Sequence, residues 1–467
     1  MSATPSDEQQ VAVRLTTRLE APWRVTEAPI QLPTRLTRFG LSEVVNHLLQ
    51  GQPTRPFDFV LNGELLRGSL AKAMVKHGLS GEEVVVLEYI QLLAPPKPEQ
   101  HAPNPDWVAS IAVLHSSGYS SGSTLAAKAP LLSACYDGCA YAWSGDGTKC
   151  GTLSGHTGAL KAVRWLTPAS PDAEPASSNS ARAITASKDH TVRLWHLQSS
   201  SAGAKAGAKA GSSHALDTRC EAVCAAHTDA VETLAVSPDA SQFASAGWDG
   251  SIRLWTCPTG GEVALPPPKR SKGAKGVVSA PPTSLDPTTT LSGHSNCVSS
   301  LCWSTAALLY SGSWDGCIKE WDMTTETATV AFSSMKATLC MDVSLGSMSV
   351  ASGHSDHLLR LWDARTKGST VRQSLKHNAW VSDVRWSTAN PLHLLSSCHD
   401  GAVRLWDIRS SVALHELPSH EDKALCVAFL GADRLVSGGA DAELRISRLG
   451  AAGAEPVSEA GAEPADK

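Results

Sequence analysis

The segment Ser311-Gly-Ser-Trp-Asp-Gly-Cys-Ile-Lys-Glu-Trp321 has a pattern that recurs along the chain and indicates its fold. A run of small residues is followed by an Asp, and an apolar strand then ends on a Trp six residues later. Six copies keep this spacing: Asp137/Trp143, Asp189/Trp195, Asp249/Trp255, Asp315/Trp321, Asp356/Trp362 and Asp400/Trp406. A seventh copy has Asp441 but carries Ser447 at the Trp position. A repeat with fixed internal spacing predicts supersecondary units that bury their faces against their neighbours.

The length of the repeat predicts four-stranded blades. Three low-complexity stretches, 169–181, 200–219 and 257–289, interrupt residues 106–449. Without them each copy has about 40 residues, the length of a WD-type propeller blade. The three stretches are rich in Ala, Gly, Ser, Pro and Lys, a composition that buries too little apolar surface to become ordered. We therefore predict a mainly β fold, with a seven-bladed WD40 β-propeller over 106–449 and three loop insertions.

A His precedes most copies and predicts a hydrogen-bonded network in each blade. In such a network the turn Asp holds the His, the His bonds a strand hydroxyl, and the hydroxyl accepts from the indole N–H. The expected sets are His156, Asp189 and Trp195; His227, Asp249 and Trp255; His294, Ser311 or Ser313, Asp315 and Trp321; and His377, Asp400 and Trp406. His420 precedes Asp441, whereas the copies near Asp106 and Lys336 lack the His. Because these groups recur in each blade, we predict a structural role rather than a hydrolytic triad.

Composition narrows the class of protein. The formal net charge of −5 disfavours a protein whose main partner is nucleic acid. The 12 cysteines show no zinc-type pairing, which favours reduced thiols in an intracellular protein. No signal peptide and no apolar run of about 18 residues is found, so we expect a soluble chain with no membrane partner. No Walker loop or other catalytic signature is present, and we expect neither an enzyme nor a small-molecule substrate.

Residues 11–93 lack the repeat and predict a small α+β domain of the ubiquitin-like, β-grasp type. Between a disordered N-terminus, 1–10, and a linker, 94–105, we expect strands at 11–15, 23–32, 57–61, 64–66 and 84–89, a helix capped by Ser42 that ends at Gly51, and a short helix over 69–77 stopped by Gly78. The segment Ala94-Pro-Pro-Lys-Pro98 replaces the free Gly-Gly tail of a conjugated modifier. The tail 450–467 is poor in strand-forming residues and is expected to be disordered, so the strand that closes the propeller should come from between Glu88 and Pro105.

Several motifs resemble the eukaryotic ribosome-biogenesis family called WD repeat-containing protein 12. They are Phe39-Gly-Leu-Ser-Glu-Val-Val-Asn-His-Leu-Leu49, Pro56-Phe-Asp-Phe59, Gly63-Glu-Leu-Leu-Arg67, Gly78-Leu-Ser-Gly-Glu82 and Asp106-Trp-Val108. The resemblance implies an N-terminal NLE domain and a role in maturation of the large (60S) ribosomal subunit in the nucleolus and nucleoplasm. It implies that the propeller binds the Bop-type propeller scaffold of the PeBoW complex, which holds Pescadillo. It also implies that the ubiquitin-like domain docks on the AAA ATPase midasin for release from the pre-60S particle.

The resemblance places the family's docking carboxylate at Glu82, with Glu83 as the neighbouring alternative. An adhesion-type site leaves one position of an octahedral Mg²⁺ open for a carboxylate oxygen of the partner. Glu82 would therefore be a ligand in trans to a Mg²⁺ shared with the ATPase, and the chain would hold no cofactor of its own. Without the resemblance, Glu82 and Glu83 read as a solvated surface turn.

Two further patterns leave alternatives open. Trp362-Asp-Ala-Arg365 and Trp406-Asp-Ile-Arg409 match the WDxR box of propeller substrate receptors in cullin-type ubiquitin ligases, although Arg after Trp-Asp is common in propellers. The basic run Lys269-Arg-Ser-Lys272 with Lys275 is typical of a solvated loop and also of a nuclear-import or RNA-phosphate patch.

Overall fold

The computed structural model of the chain describes residues 9–49, 54–114, 130–166, 180–199, 216–258, 282–344, 348–366 and 371–451. The chain divides into two compact units. The first comprises Met1–Lys97, Trp406–His415 and Arg448–Lys467, and the second comprises Pro98–Leu405 and Glu416–Ser447. In the described part of the chain, no helix is long and apolar enough to cross a membrane.

The first unit contains a five-stranded sheet with two helices. Its strands, in order across the sheet, are Ile30–Pro33, Gln10–Thr16, Val85–Gln91, Phe57–Leu61 and Glu64–Leu65. The first and last strands of the domain lie parallel at the centre of the sheet, and the other pairings are antiparallel. The helices span Arg38–Leu48 and Leu70–His77, and a 3₁₀ turn spans Ala21–Trp23. This topology confirms the predicted β-grasp.

The apolar positions of these strands and helices form one core. Val13, Leu41, Phe59, Leu70 and Leu87 are among its fully buried members. Alternate residues of the last strand face this core, so its remaining residues face outward. The turn that carries Glu82 comes directly before this last strand, so it lies at one end of the sheet, where residues 80–84 are exposed.

Two local predictions in this domain were wrong. The first helix begins at Arg38 after Thr37, one turn earlier than predicted, so Ser42 is not its cap. The Ser42 hydroxyl instead accepts a hydrogen bond from the Phe57 backbone N–H at 2.9 Å and ties the helix to the sheet. The strand expected over 23–32 is confined to Ile30–Pro33.

Seven sheets with the four strands of a propeller blade follow among the described residues. From inner to outer strand they are blade 1, Val108–Val113, Leu131–Cys135, Cys139–Trp143 and Lys149–Ser154; blade 2, Leu160–Trp165, Ser180–Ser187, Val192–Ser199 and Leu216–Cys224, with Thr283–Leu285 added at the edge; blade 3, Val231–Val236, Gln242–Gly247, Ser251–Thr256 and Thr289–Ser292; blade 4, Val298–Thr305, Leu308–Ser313, Cys317–Asp322 and Thr327–Ser333; blade 5, Thr338–Ser344, Ser349–His354, Leu358–Asp363 and Val371–Lys376; blade 6, Val381–Trp386, His393–Cys398, Ala402–Asp407 and His415–Pro418; and blade 7, Ala424–Leu430, Arg434–Gly439, Glu443–Ala451 and Leu93–Pro103. Each inner strand neighbours the inner strands of the two adjacent blades, and blade 7 returns to blade 1.

The outer strand of blade 7, Leu93–Pro103, comes from the N-terminal side of the propeller, as predicted for ring closure. Most of the stretch expected to be a linker, 94–105, is therefore a strand. The Asn104 N–H donates to the Ala442 carbonyl at 2.8 Å, and His101 lies 3.1 Å from Glu443. Proline-rich sequence is compatible with this position because an outer strand has one unpaired edge, where a missing N–H costs little.

The predicted insertions are shorter than their assigned bounds. Residues 180–181 begin a strand of blade 2, residues 216–219 belong to its outer strand, and residues 283–285 and 289 lie in strands. The remaining parts, 169–179, 200–215 and 259–281, lie outside the described residues, as do 1–8 and 452–467. The basic run at 269–275 and the predicted disorder of both termini are therefore untested.

Candidate functional site

The turn around Glu82 presents an unpaired carboxylate. Gly78 ends the second helix in a left-handed conformation, φ 65°, which turns the chain away from the helix axis. Residues 80–84 that follow are exposed, and the last strand begins at Val85. The carboxylates of Glu82 and Glu83 have no hydrogen-bond or ion-pair partner among the described residues. A ligand oxygen at this turn can approach a partner without first losing an internal contact.

An exposed apolar strip continues from this turn. Val84 and Val86 are exposed, whereas Val85 and Leu87 between and beyond them are buried. The alternation places Val86 on the outward face of the last strand, and Val84 lies directly before that strand. A carboxylate bordered by exposed apolar side chains has the composition of a small protein-binding surface.

Three of the four predicted histidine networks form as expected. The His Nδ1 lies 2.8, 2.7 and 2.8 Å from the Asp carboxylate in His156/Asp189, His227/Asp249 and His294/Asp315. The His Nε2 and the Trp indole N–H both reach one strand hydroxyl, which is that of Thr185, Ser245 or Ser311. Ser311 and not Ser313 is therefore the network member in blade 4. Burial raises the pKa of the Asp249 carboxyl, but hydrogen bonds from His227 and Ser251 outweigh it, and the pKa lies below its usual range.

The fourth predicted set, His377, Asp400 and Trp406, does not close. The His377 Nε2 bonds Ser396 at 2.8 Å, but its Nδ1 faces the Leu375 carbonyl at 3.3 Å. Asp400 instead pairs with the buried guanidinium of Arg404 at 2.6 Å. In this blade the Arg404 guanidinium contacts both carboxylate oxygens of Asp400, so the carboxylate is not bonded to His377.

Sequence reasoning missed the groups that replace the absent histidines. In blade 5, His354 bonds Ser352 at 2.8 Å and so does the Trp362 indole, while Asp356 pairs with Arg360 at 2.5 Å. In blade 1, Ser133 accepts from the Trp143 indole at 2.8 Å and donates to Asn104 at 3.2 Å. An Arg four residues after the repeat Asp does not by itself signal the substitution, because Arg193 and Arg253 hold that position in blades 2 and 3, where the network closes.

Loss of a network histidine should destabilise the propeller. We expect His227→Ala to lower the free energy of unfolding by about 2 kcal/mol, because the buried Ser245 hydroxyl and the Asp249 carboxylate each lose one hydrogen bond. Thr228→Ala, an exposed neighbour, is the matched control and should change it by less than about 0.5 kcal/mol. Denaturant unfolding of both variants checks this, and equal midpoints would contradict a stabilising role for the network.

Two buried histidines predict acid sensitivity. Burial, aided by Arg360 and Arg404 respectively, lowers the pKa of His354 and of His377 from 6.5 to about 4. The unfolded chain therefore binds these protons first, and stability present above pH 6.5 is lost as the pH falls toward 4. Each group contributes at most about 1.4 kcal/mol per pH unit in that window. We expect the free energy of unfolding, measured with urea between pH 7 and pH 5, to depend less steeply on pH for His377→Gln than for wild type. His47→Gln, a substitution at an exposed histidine, is the control and should behave as wild type does. An unchanged pH dependence for His377→Gln would refute the assignment.

A ring of backbone hydrogen bonds surrounds one end of the propeller axis. In every blade, the N–H of the residue before the repeat Asp donates to the carbonyl of the residue before the inner strand. The pairs, at 2.8–3.2 Å, are Tyr136/Trp107, Lys188/Ala159, Trp248/Ala230, Trp314/Cys297, Ser355/Ala337, His399/Trp380 and Ala440/Lys423. We call these residues the rim. The position before the repeat Asp is readable in the sequence and could have identified half of them.

The two WDxR arginines are both engaged. Arg365, 69% exposed, pairs with Asp363 at 2.8 Å. Arg409, only 13% exposed, pairs with Asp407 at 2.6 Å and with Glu88 at 2.7 Å. An arginine held by two carboxylates presents little free charge to an adaptor, so Arg409 gives the ligase interpretation no support. Among the described residues, no group of three or more His, Cys, Asp or Glu side chains is placed to hold a metal ion.

Comparison with known proteins agrees with this architecture. Residues 11–74 match the NLE (NUC135) domain, and residues 147–196, 218–256, 285–322 and 369–407 match the WD domain, G-beta repeat. A ribosome biogenesis protein WDR12 homologue from Chlamydomonas reinhardtii is 36% identical, over 94% of this chain and 98% of the relative. Homologues of the same name from Oryza sativa subsp. japonica and Arabidopsis thaliana are 34% and 32% identical, each over 94% of this chain and 96% of the relative.

Proposed function

The chain belongs to the WDR12 family of ribosome biogenesis proteins, and from this premise we propose that it is a non-catalytic adaptor in maturation of the 60S subunit and its rRNA. The observation that carries the proposal is the pairing of two parts with different surfaces. One is a small domain with an exposed, unpaired Glu82 beside Val84 and Val86. The other is a closed propeller whose recurrent His and Asp groups are consumed by internal hydrogen bonds.

The N-terminal domain acts as the docking element for the midasin ATPase. Glu82 would supply one carboxylate oxygen to the Mg²⁺ of the adhesion-type site, and the ion would supply the charge that holds it. The end of the second helix supports this role, because the left-handed conformation of Gly78 turns the chain that carries Glu82 away from the helix axis. Val84 and Val86 would add apolar contact beside the ion.

The propeller acts as the anchor to the pre-60S particle in the nucleolus and nucleoplasm. It would bind the Bop-type scaffold and, through it, Pescadillo. With the anchor and the docking element on one chain, force from the ATPase on the N-terminal domain would be transmitted to the scaffold and release the complex. The short connection in the chain supports this role, because only residue 92 separates Val85–Gln91 of the β-grasp sheet from Leu93–Pro103 of blade 7.

Removal of the docking element should separate these roles. If residues 94–105 were a linker, deletion of 1–98 would remove the docking element alone. Because Leu93–Pro103 is the closing strand of blade 7, that deletion would instead cut through it. We therefore expect a chain starting at residue 93 to bind the scaffold as wild type does but to block maturation as a dominant-negative protein. Co-precipitation with the scaffold and sedimentation of pre-60S particles test this. Loss of scaffold binding by a folded propeller, or normal maturation, would refute the division of roles.

A further inference from the structure

The channel of the propeller opens within the rim. A cavity of about 310 Å³ is lined by residues of all seven inner strands and by rim residues, including Trp107, Trp314, Trp380 and Lys423. An opening that joins surface aromatics to polar and charged side chains of the interior is a feature of binding sites rather than of packing defects.

The rim exposes four tryptophans. Trp107, Trp248, Trp314 and Trp380 are 38%, 44%, 37% and 45% exposed. Trp248 packs edge-on against Trp314 with ring centroids 5.0 Å apart, and Trp107 and Trp380 lie beside Tyr136 and His399 at 5.3 and 5.7 Å. Tryptophan and tyrosine are enriched at the energetic centres of protein interfaces because they bury a large area at low entropic cost. The clustering of exposed tryptophans around one opening therefore indicates a surface that binds a partner.

The charges that line the opening favour an acidic guest. Lys161 pairs with Glu232 at 2.7 Å, and Arg385 pairs with Asp383 at 3.4 Å. The cavity is also lined by Arg164 and Lys423, for which no carboxylate of the described residues lies within 4 Å. A ligand that carries a carboxylate would neutralise this excess of positive charge, whereas a Lys or Arg side chain would be repelled.

Arg164 has an unused face. Its Nη1 donates to the Ser110 hydroxyl at 3.1 Å and to the Val163 carbonyl at 2.8 Å. In the described part of the chain, its Nε and Nη2 have no hydrogen-bond acceptor. These two nitrogens form the edge of a guanidinium that binds a carboxylate through two parallel hydrogen bonds.

The remaining charges near Arg164 leave it cationic and available. Burial, and then Arg385, lower its pKa to about 10, so the group stays protonated at neutral pH. The two nearby carboxylates have other partners: Asp383 pairs with Arg385 at 3.4 Å, and Asp342 accepts the Trp386 backbone N–H at 2.8 Å.

We propose that the rim and channel bind an acidic linear peptide of a partner protein, one carboxylate of which pairs with Arg164 while apolar side chains cover the tryptophans. This goes beyond the adaptor role, which assigns no face of the propeller to any partner. A peptide fits better than a folded domain, because a side chain must enter the opening to reach Arg164.

Selection of random 12-residue peptides by phage display on the full chain tests the proposal. We expect the retained peptides to be enriched in Asp and Glu together with Trp, Phe or Leu, and their binding to weaken as salt is raised. Retention of basic or uncharged peptides, or of none, would overturn it. A further combination of results would also overturn the proposal: rim substitutions abolish scaffold binding, and no acidic peptide is retained. The rim would then be covered by a folded domain.

Matched variants locate the selected peptide. Trp314→Ala should weaken it about 30-fold, equivalent to about 2 kcal/mol at a hot spot. Lys423→Glu and Arg164→Gln should each weaken it about tenfold or more. Phe39→Ala and Lys376→Glu, an exposed aromatic and an exposed lysine that belong neither to the rim nor to the cavity lining, should leave the affinity unchanged. Thermal unfolding checks that Arg164→Gln is folded, and Lys423→Glu tests the same charge without a buried change. Equal affinity of rim and control variants would refute the site.

Discussion

Glu82→Ala is expected to abolish Mg²⁺-dependent binding of the chain to the adhesion-type module of midasin. The substitution removes the carboxylate oxygen that would complete the metal's coordination, and no other group of the exposed turn replaces it at that position. Glu82→Asp should have the same effect because its carboxylate is one methylene shorter. Folding should be preserved, since an exposed turn position with no internal partner seldom changes stability by more than about 0.5 kcal/mol. Maturation would then stop with the complex retained on the pre-60S particle.

Glu83→Ala is the matched control, because Glu83 is equally exposed and lies in the same turn. It should bind the module as wild type does, and EDTA should reduce wild-type binding to the level of Glu82→Ala. Calorimetry with the purified module gives both affinities. Undiminished binding of Glu82→Ala in Mg²⁺, or a larger loss for Glu83→Ala, would assign the contact elsewhere.

Loss of the closing strand should have the largest effect on stability. A chain that starts at residue 106 lacks Leu93–Pro103, which pairs with Glu443–Ala451 in blade 7, and also lacks Asn104. We expect its propeller to unfold with a free energy lower by several kcal/mol, because a full edge of blade 7 and the Ser133 partner are lost. A chain that starts at residue 88 keeps both.

Thermal unfolding of the chains that start at residues 88 and 106 tests whether this strand closes the ring. Removal of residues 452–467 serves as the control for truncation and should change the free energy of unfolding by less than about 0.5 kcal/mol. Equal midpoints for starts at 88 and 106 would mean that ring closure does not depend on this strand.

The parts of the fold predicted correctly follow from spacing. The interval between Asp249 and Trp255 fits one turn and one strand, and its recurrence requires stacked sheets, so blade number and network geometry follow. The last strand of the β-grasp was also predictable, because Val85 and Leu87 alternate with exposed residues.

The predictions from sequence were wrong where contacts between residues distant in the chain determine the structure. Proline at 95, 96 and 98 predicts a linker, but the open edge of blade 7 accepts such a strand. Arg404 competes with His377 for Asp400, and no local pattern ranks the two. The channel lies beyond sequence reasoning for the same reason, because Arg164, Trp314 and Trp380 come together only when the ring closes.

Purification of the full chain from nuclear extract, followed by identification of the proteins and RNA that remain bound, distinguishes a pre-60S adaptor from a ubiquitin-ligase receptor. We expect recovery of the Bop-type scaffold and Pescadillo together with large-subunit precursor rRNA, and recovery of midasin that is lost with Glu82→Ala. Recovery of a cullin-ligase adaptor without the scaffold and without precursor rRNA would contradict it.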